Sequence, residues 1–184
     1  MKLSAATDPD LCFGMVEDHE YKDLVPIAQE AFGFLHPENS VSGSPYRRAL
    51  AQVVNNWTPK EMADYLHRRS RKRLFSPHVL RVEKRVVGYA LHRRNSDNET
   101  IISQLAVAAD CRGQGYGKYM ISQLVKVAMR GRKLLGFPLL GMKVPDRDLQ
   151  TQLFLKNCGF QWTRTVKFHS EDCYWMFRHQ TRKR

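Results

Sequence analysis

Seven consecutive residues, Arg112-Gly-Gln-Gly-Tyr-Gly-Lys118, place three glycines at alternate positions between an apolar run and a stretch with helical spacing. Strand, glycine turn and helix in that order converge main-chain N–H groups and the positive end of a helix dipole on one point, and glycines permit close approach. An anion such as a phosphate is what such a turn can hold. Two phosphate-binding patterns fail here. The triphosphate loop G-x-x-x-x-G-K-[ST] matches Gly117-Lys118, but Arg112 stands where its first glycine belongs and Tyr119 where its magnesium-binding hydroxyl belongs. The dinucleotide pattern G-x-G-x-x-G fails in register, because Gly113, Gly115 and Gly117 run G-x-G-x-G beyond mid-chain.

The remaining reactive residue types form no set. Cys12, Cys111, Cys158 and Cys173 contain no C-x-x-C pair and read as reduced thiols, mostly in the core. His19, His36, His67, His78, His92, His169 and His179 lack the spacing of a zinc site, so no metal is expected.

The elements that must position the glycine turn follow from periodicity. Leu24, Ile27, Ala28, Ala31 and Leu35 predict an amphipathic helix over Asp23–His36, and a loop rich in Ser, Asn and Gly follows over Pro37–Pro45. Thr58, Pro59 and Glu61 read as an N-cap, first-turn proline and capping box opening a helix to about Arg71. Val79, Leu80 and Val82, then Val86, Val87, Tyr89 and Leu91, predict two strands joined by a Glu83-Lys84-Arg85 turn. Thr100–Ala108 has Ile102 and Ala106 on one face and Ile101, Ser103, Leu105 and Val107 on the other, the pattern of a central strand covered on both sides. Met120, Ile121, Leu124, Val127 and Ala128 mark the helix after the turn. A strand near Leu139–Val144, a helix over Arg147–Asn157 with Leu149, Leu153 and Phe154, and strands near Phe160–Lys167 and Cys173–Arg178 complete an α/β chain with a mixed sheet.

With 184 residues the chain is expected to form a single domain, 1–184. Its 30 Lys and Arg against 18 Asp and Glu leave a formal charge of +12. The longest charge-free apolar run, Leu134–Met142, is far short of a membrane span, and Asp8 and Asp10 interrupt any signal peptide, so a cytoplasmic location is expected. Arg68, Arg69, Arg71, Lys72 and Arg73, with Arg182, Lys183 and Arg184, form basic runs suited to a solvated face or to a polyanion.

The turn fits a third pattern, R/Q-x-x-G-x-G/A, in full, and Leu105-Ala106-Val107 precedes it while Gly159-Phe160 ends a later helix. In these features the chain resembles the GNAT superfamily of acyl-CoA-dependent N-acetyltransferases. The resemblance implies the GNAT fold, with acetyl-CoA as co-substrate and no metal. It also implies that Arg112, Gly113, Gln114, Gly115, Tyr116, Gly117 and Lys118 hold the pyrophosphate, that Leu105, Ala106 and Val107 lie along pantetheine, and that Asp148 stands at the usual asparagine position of the last helix. Asn56-Trp57-Thr58, Val86-Val87-Gly88-Tyr89, Gln152-Leu153-Phe154 and Glu171-Asp172-Cys173-Tyr174 are similar to the RimI-like branch, which acetylates protein N-termini and is named for a ribosomal protein.

Against that branch, two proton-transfer positions depart. Lys143 stands at the expected glutamate and Leu155 at the expected tyrosine, while Ile101 fills the position that some relatives use on the preceding strand. Candidate substitutes are Lys143, if burial or cationic neighbours weaken its basicity, Glu99 or His92 through water, and Tyr174 as donor to the thiolate. The acceptor implied is a protein or peptide N-terminus, with ribosome association through the basic surface, for a monomer or homodimer outside the membrane. The alternatives are a CoA-binding module without turnover that docks on ribosome or nucleic acid, and a small-molecule N-acetyltransferase.

Overall fold

The computed structural model describes residues 10–33, 58–71, 76–94, 99–129, 140–146, 148–168 and 172–179, the side chains of 67–71, 164–168 and 172–175 excepted. Seven strands form one sheet: β1 (Leu11–Met15), β2 (Ser76–Val82), β3 (Arg85–Arg94), β4 (Thr100–Val107), β5 (Leu140–Pro145), β6 (Phe160–Phe168) and β7 (Asp172–His179). Their order is β1-β2-β3-β4-β5-β7-β6, antiparallel throughout except for the parallel pair β4–β5. The helices are α1 (Tyr21–Ala28), α2 (Pro59–Arg71), α3 (Tyr116–Met129) and α4 (Leu149–Asn157). The mixed α/β sheet read from the sequence is therefore the one observed.

The capping box at Thr58 forms as its residues dictate. The Glu61 N–H donates to the Thr58 hydroxyl at 3.2 Å, and the Thr58 N–H donates to the Glu61 carboxylate at 2.7 Å. The β2–β3 turn is Glu83-Lys84 alone, with φ of 49° and 68°; Arg85 already belongs to β3. Both central residues lie at the positive φ that a two-residue hairpin loop needs to match strand twist.

Three elements differ from the sequence reading. β1 was not foreseen, because a five-residue edge strand interrupted by Gly14 carries little periodicity; its pairing with β2 creates it. The first helix keeps α geometry only to Ala28, and Gln29–Gly33 widens into a π turn; the last part of the expected helix and the Pro37–Pro45 loop lie outside the described residues. α4 buries Gln152 and Leu155, whereas Leu149 and Leu153, read as its apolar side, are 64% and 55% exposed. Of the thiols read as mostly core, Cys111 is buried, Cys158 is half-buried and Cys12 lies exposed on β1.

The two faces of the sheet are covered differently. Tyr65 of α2 lies beside Tyr89 of β3, and Leu24, Val25, Ile27 and Ala28 of α1 with Met62 and Leu66 of α2 enter the core. On the other face α3 starts against Val107, since a Cβ on Gly117 would lie 3.9 Å from the Val107 side chain and 3.2 Å from Phe154 of α4. Thus α1 and α2 lie on one side and α3 and α4 on the other.

Candidate functional site

β4 and β5 begin as a ladder and then part. Their register runs Thr100 to Leu140, Ile101 to Gly141 and Ile102 to Met142, where it ends, while β5 continues to Pro145 paired only with β7. Ser103 is the extra residue of a bulge against β3, with Leu91 opposite Gln104 and His92 opposite Ile102. A bulge sharpens local twist, which turns the rest of β4 away from its parallel neighbour. The Ala108 N–H donates to the Val87 carbonyl of β3 at 2.9 Å. Alternation along β4 then points the main-chain groups of Gln104 and Ala106 at β3 and those of Leu105 and Val107 into the gap. Val107 confirms the direction, because its carbonyl accepts from Arg112 Nε at 3.0 Å. What remains is an open strip of sheet with two N–H groups and the Leu105 carbonyl facing no strand.

The glycine turn closes one end of that strip. Gly113 and Gly115 have φ of 76° and 87°, the left-handed region in which a side chain is strained. The first helical bond of α3 runs from the Tyr119 N–H to the Gly115 carbonyl, 3.0 Å. Among the described residues the main-chain N–H groups from Gly113 to Lys118 donate to nothing, so a run of amides and the helix dipole meet at one place. An anion of phosphate type satisfies both.

Behind the turn, Glu30 acts as a strap. Its carboxylate accepts from the Ala109 N–H at 3.1 Å and pairs with the Arg112 guanidinium at 3.3 Å. The π turn is what brings Glu30 there, a link from α1 to the start of the loop that periodicity alone did not suggest. A cleft of about 570 Å³ lies between α1 and this segment; its charges Arg85 and Asp110 pair with each other at 2.6 Å.

The candidate residues divide accordingly. Gly113, Gln114, Gly115, Tyr116, Gly117 and Lys118 form the turn and the first turn of α3, and Leu105, Ala106 and Val107 line the strip. Arg112 is held by Val107 and Glu30, so its head group braces the loop from behind. Asp148 caps α4, accepting from the Thr151 N–H at 3.1 Å and hydroxyl at 2.9 Å. Glu99 is buried at the opposite end of β4 from the turn, in a bidentate pair with Arg178 of β7 at 2.6 and 3.3 Å. Roughly 20 Å of extended strand separates it from Leu105, and its carboxylate is engaged by Arg178. His92 is likewise buried, bonded to His78 at 3.1 Å.

Lys143 lies on β5 one residue past the last β4 pair, at the gap, with its side chain exposed, so of the two ways of weakening its basicity burial is absent. Leu155, at the expected tyrosine position, is fully buried in the core. The register places Tyr174 opposite Pro145 at the end of β5; its side chain lies outside the described residues, as do Lys72, Arg73 and 182–184 of the basic runs. Among the described residues no group of three His, Cys, Asp or Glu could hold a metal ion, and no helix is long and apolar enough to cross a membrane.

Sequence reasoning missed one buried polar pair at the gap. Gln104, 6% exposed, accepts a hydrogen bond from the Tyr89 hydroxyl at 3.1 Å. The signal was a carboxamide in an otherwise apolar strand.

Comparison with known proteins now gives this geometry a context. No curated protein sequence is similar to the chain. Among solved structures, a ribosomal-protein-alanine N-acetyltransferase from Brucella melitensis superposes with a TM-score of 0.64 at 18% identity, over 92% of this chain and 99% of that one. A spermidine N-acetyltransferase chimera from Vibrio cholerae and hSSAT gives 0.66 at 11% identity, over 93% and 95%. A Bacillus anthracis protein assigned as a streptothricin acetyltransferase, in complex with acetyl coenzyme A, gives 0.52 at 17% identity over 59% of this chain; the match spans 63% of that chain's length. At such identities these likenesses establish a shared fold. The Acetyltransferase (GNAT) family model matches residues 42–160, well over half of the chain, across β2 to the start of β6 and including the whole gap and turn. The chain belongs to the GNAT family of acetyltransferases.

Proposed function

We propose that the protein transfers an acetyl group from acetyl-CoA to the α-amine of a protein or peptide, as in the RimI-like branch. The observation that carries the coenzyme part is the continuity of the open strip of β4 with the unpaired amides of Gly113–Lys118. The strip suits an extended amide-containing arm, and the turn suits a diphosphate. The coenzyme would supply the activated acyl group; the chain's own residues bind and orient it. The Val107 N–H, aimed into the gap, is placed to polarise a thioester carbonyl as charge develops there.

The acceptor follows from proton bookkeeping. Glu99 is committed to Arg178, Lys143 is exposed and Leu155 is apolar, so among the described residues no carboxylate stands at the gap to take the ammonium proton. An α-amine titrates near 7.7–8.0 and a lysine near 10.4, so at pH 7.5 about a third of the first is already neutral but only about one in a thousand of the second. A site working by position, with no base among its described residues, therefore favours an N-terminal amine. The +12 formal charge further disfavours a polycationic acceptor such as a polyamine and favours a polyanionic surface such as the ribosome.

Thiol release with peptides, lysine side chains and polyamines as acceptors tests the proposal. Peptide α-amines should turn over fastest, and kcat/KM should rise with pH to a plateau at the peptide's own amine pKa. Tight coenzyme binding without turnover of any amine would instead support the CoA-binding module that docks on ribosome or nucleic acid.

A further inference from the structure

The gap between β4 and β5 has a second side. Leu105 and Val107 face the α3 side, where the turn lies, whereas Gln104 shares the face of Tyr89 and Tyr65 beneath α2. An arm laid in from the α3 side leaves the α1–α2 side as the approach for the acceptor. Gln104 stands at that side of the gap, two residues past the last β4–β5 pair.

Its hydrogen bonding is incomplete. Tyr89 is fully buried and its hydroxyl proton has one acceptor among the described residues, Gln104 Oε1 at 3.1 Å. A buried phenol O–H must donate, so the carboxamide oxygen is committed and the orientation of the amide is set. Burial pushes the Tyr89 phenol well above its ordinary range, which keeps that proton in place at every working pH. The Gln104 NH₂ group, with two donors, then has no partner among the described residues, although the residue is only 6% exposed. Leaving a buried donor unmade is costly, and natural cores avoid it unless a partner arrives from outside.

We infer that the Gln104 amide, held in place by Tyr89, donates to a carbonyl oxygen of the acceptor, so that the site selects an amine carrying an adjacent carbonyl group. A neutral donor in a buried position complements a neutral oxygen. A peptide N-terminus offers one three bonds from its amine nitrogen, whereas a polyamine or a simple alkylamine offers only further donors and leaves the amide unpaired. The inference rests on the transferase reading above and names what that site recognises.

The test compares two acceptors, a short alanyl peptide and sec-butylamine, which keeps the α-methyl amine and lacks the carbonyl. The enzymes are wild type, Gln104→Leu, and Gln104→Leu combined with Tyr89→Phe, the second removing both partners so that no phenol is orphaned. Each variant is read as its kcat/KM ratio to wild type for each acceptor, which cancels the difference in amine basicity. The peptide ratio should fall by between about 10-fold and 100-fold, while the alkylamine ratio stays within about twofold and acetyl-CoA affinity by calorimetry is unchanged. Equal losses with both acceptors in the double variant, or no loss with the peptide, would reduce Gln104 to a buried strut and overturn the inference while the transferase reading stood. Absence of turnover with either amine in the wild type would end both.

Discussion

Two residues show how much a local environment adds to chemical type. His92 and His78 are hydrogen-bonded inside the sheet, and Phe13 stacks on His78 with centroids 5.2 Å apart. Burial first, then His78 and Arg94, push His92 down to about 4, and burial lowers His78 as well. Both are therefore neutral in the fold while an unfolded histidine titrates near 6.5. The unfolded chain binds more protons below that value, so this stability is complete above pH 6.5 and is lost as pH falls towards 4, amounting to roughly 3 kcal/mol for His92. Urea midpoints measured from pH 7 to 4.5 should decline in the wild type and much less in His92→Gln; equal declines would refute the assignment. Gly115 argues the other way, from backbone alone. At φ 87° a valine costs about 1–2 kcal/mol and obstructs the amides beside it. Gly115→Val should remain folded by circular dichroism yet lose more than about tenfold in coenzyme affinity; retained affinity in calorimetry would remove the turn from the site.

At the scale of elements, α2 was the most legible, because Thr58-Pro59-Lys60-Glu61 carries its own start signal and satisfies it within four residues. The Thr58 main-chain N–H, ahead of its hydroxyl, holds the Glu61 carboxyl below the usual range. Thr58→Ala should cost about 1 kcal/mol of stability, read as a shift in urea midpoint with the slope unchanged, and Thr58→Ser should restore it. The strand–turn–helix unit β4–α3 was legible for the same reason: three glycines, an apolar run and a helical run are contiguous. β1 and the inner face of α4 were not. An edge strand exists only because β2 pairs with it, and α4 buries Gln152 by bonding it to the carbonyls of Pro145 and Asp146, a local bargain that hydrophobic spacing misreads in favour of Leu149 and Leu153. The π turn after α1 also escaped, since its purpose is the reach of Glu30 to Ala109, nearly eighty residues along the chain.

For the molecule as a whole, the residues proposed to bind through their backbones are ones that the sequence could name. In the proposed site Gly113–Lys118, Leu105 and Val107 act through N–H groups whose direction follows from turn type and strand alternation, both short-range properties. Side-chain roles were another matter, because a carboxylate or an imidazole is a base, a strut or a cap according to what faces it. Glu99 faces Arg178 across β5, Arg112 faces Glu30 of the π turn, and Asp148 turns back on Thr151. By itself, then, the chain's order of residues determined its α/β class, the glycine turn and the central strand leading to it, since these rest on contacts a few residues apart. Tertiary structure alone decided where β4 leaves β5, which charges are already spent, and that Gln104 has hydrogens to offer, since each depends on partners brought together across the sheet.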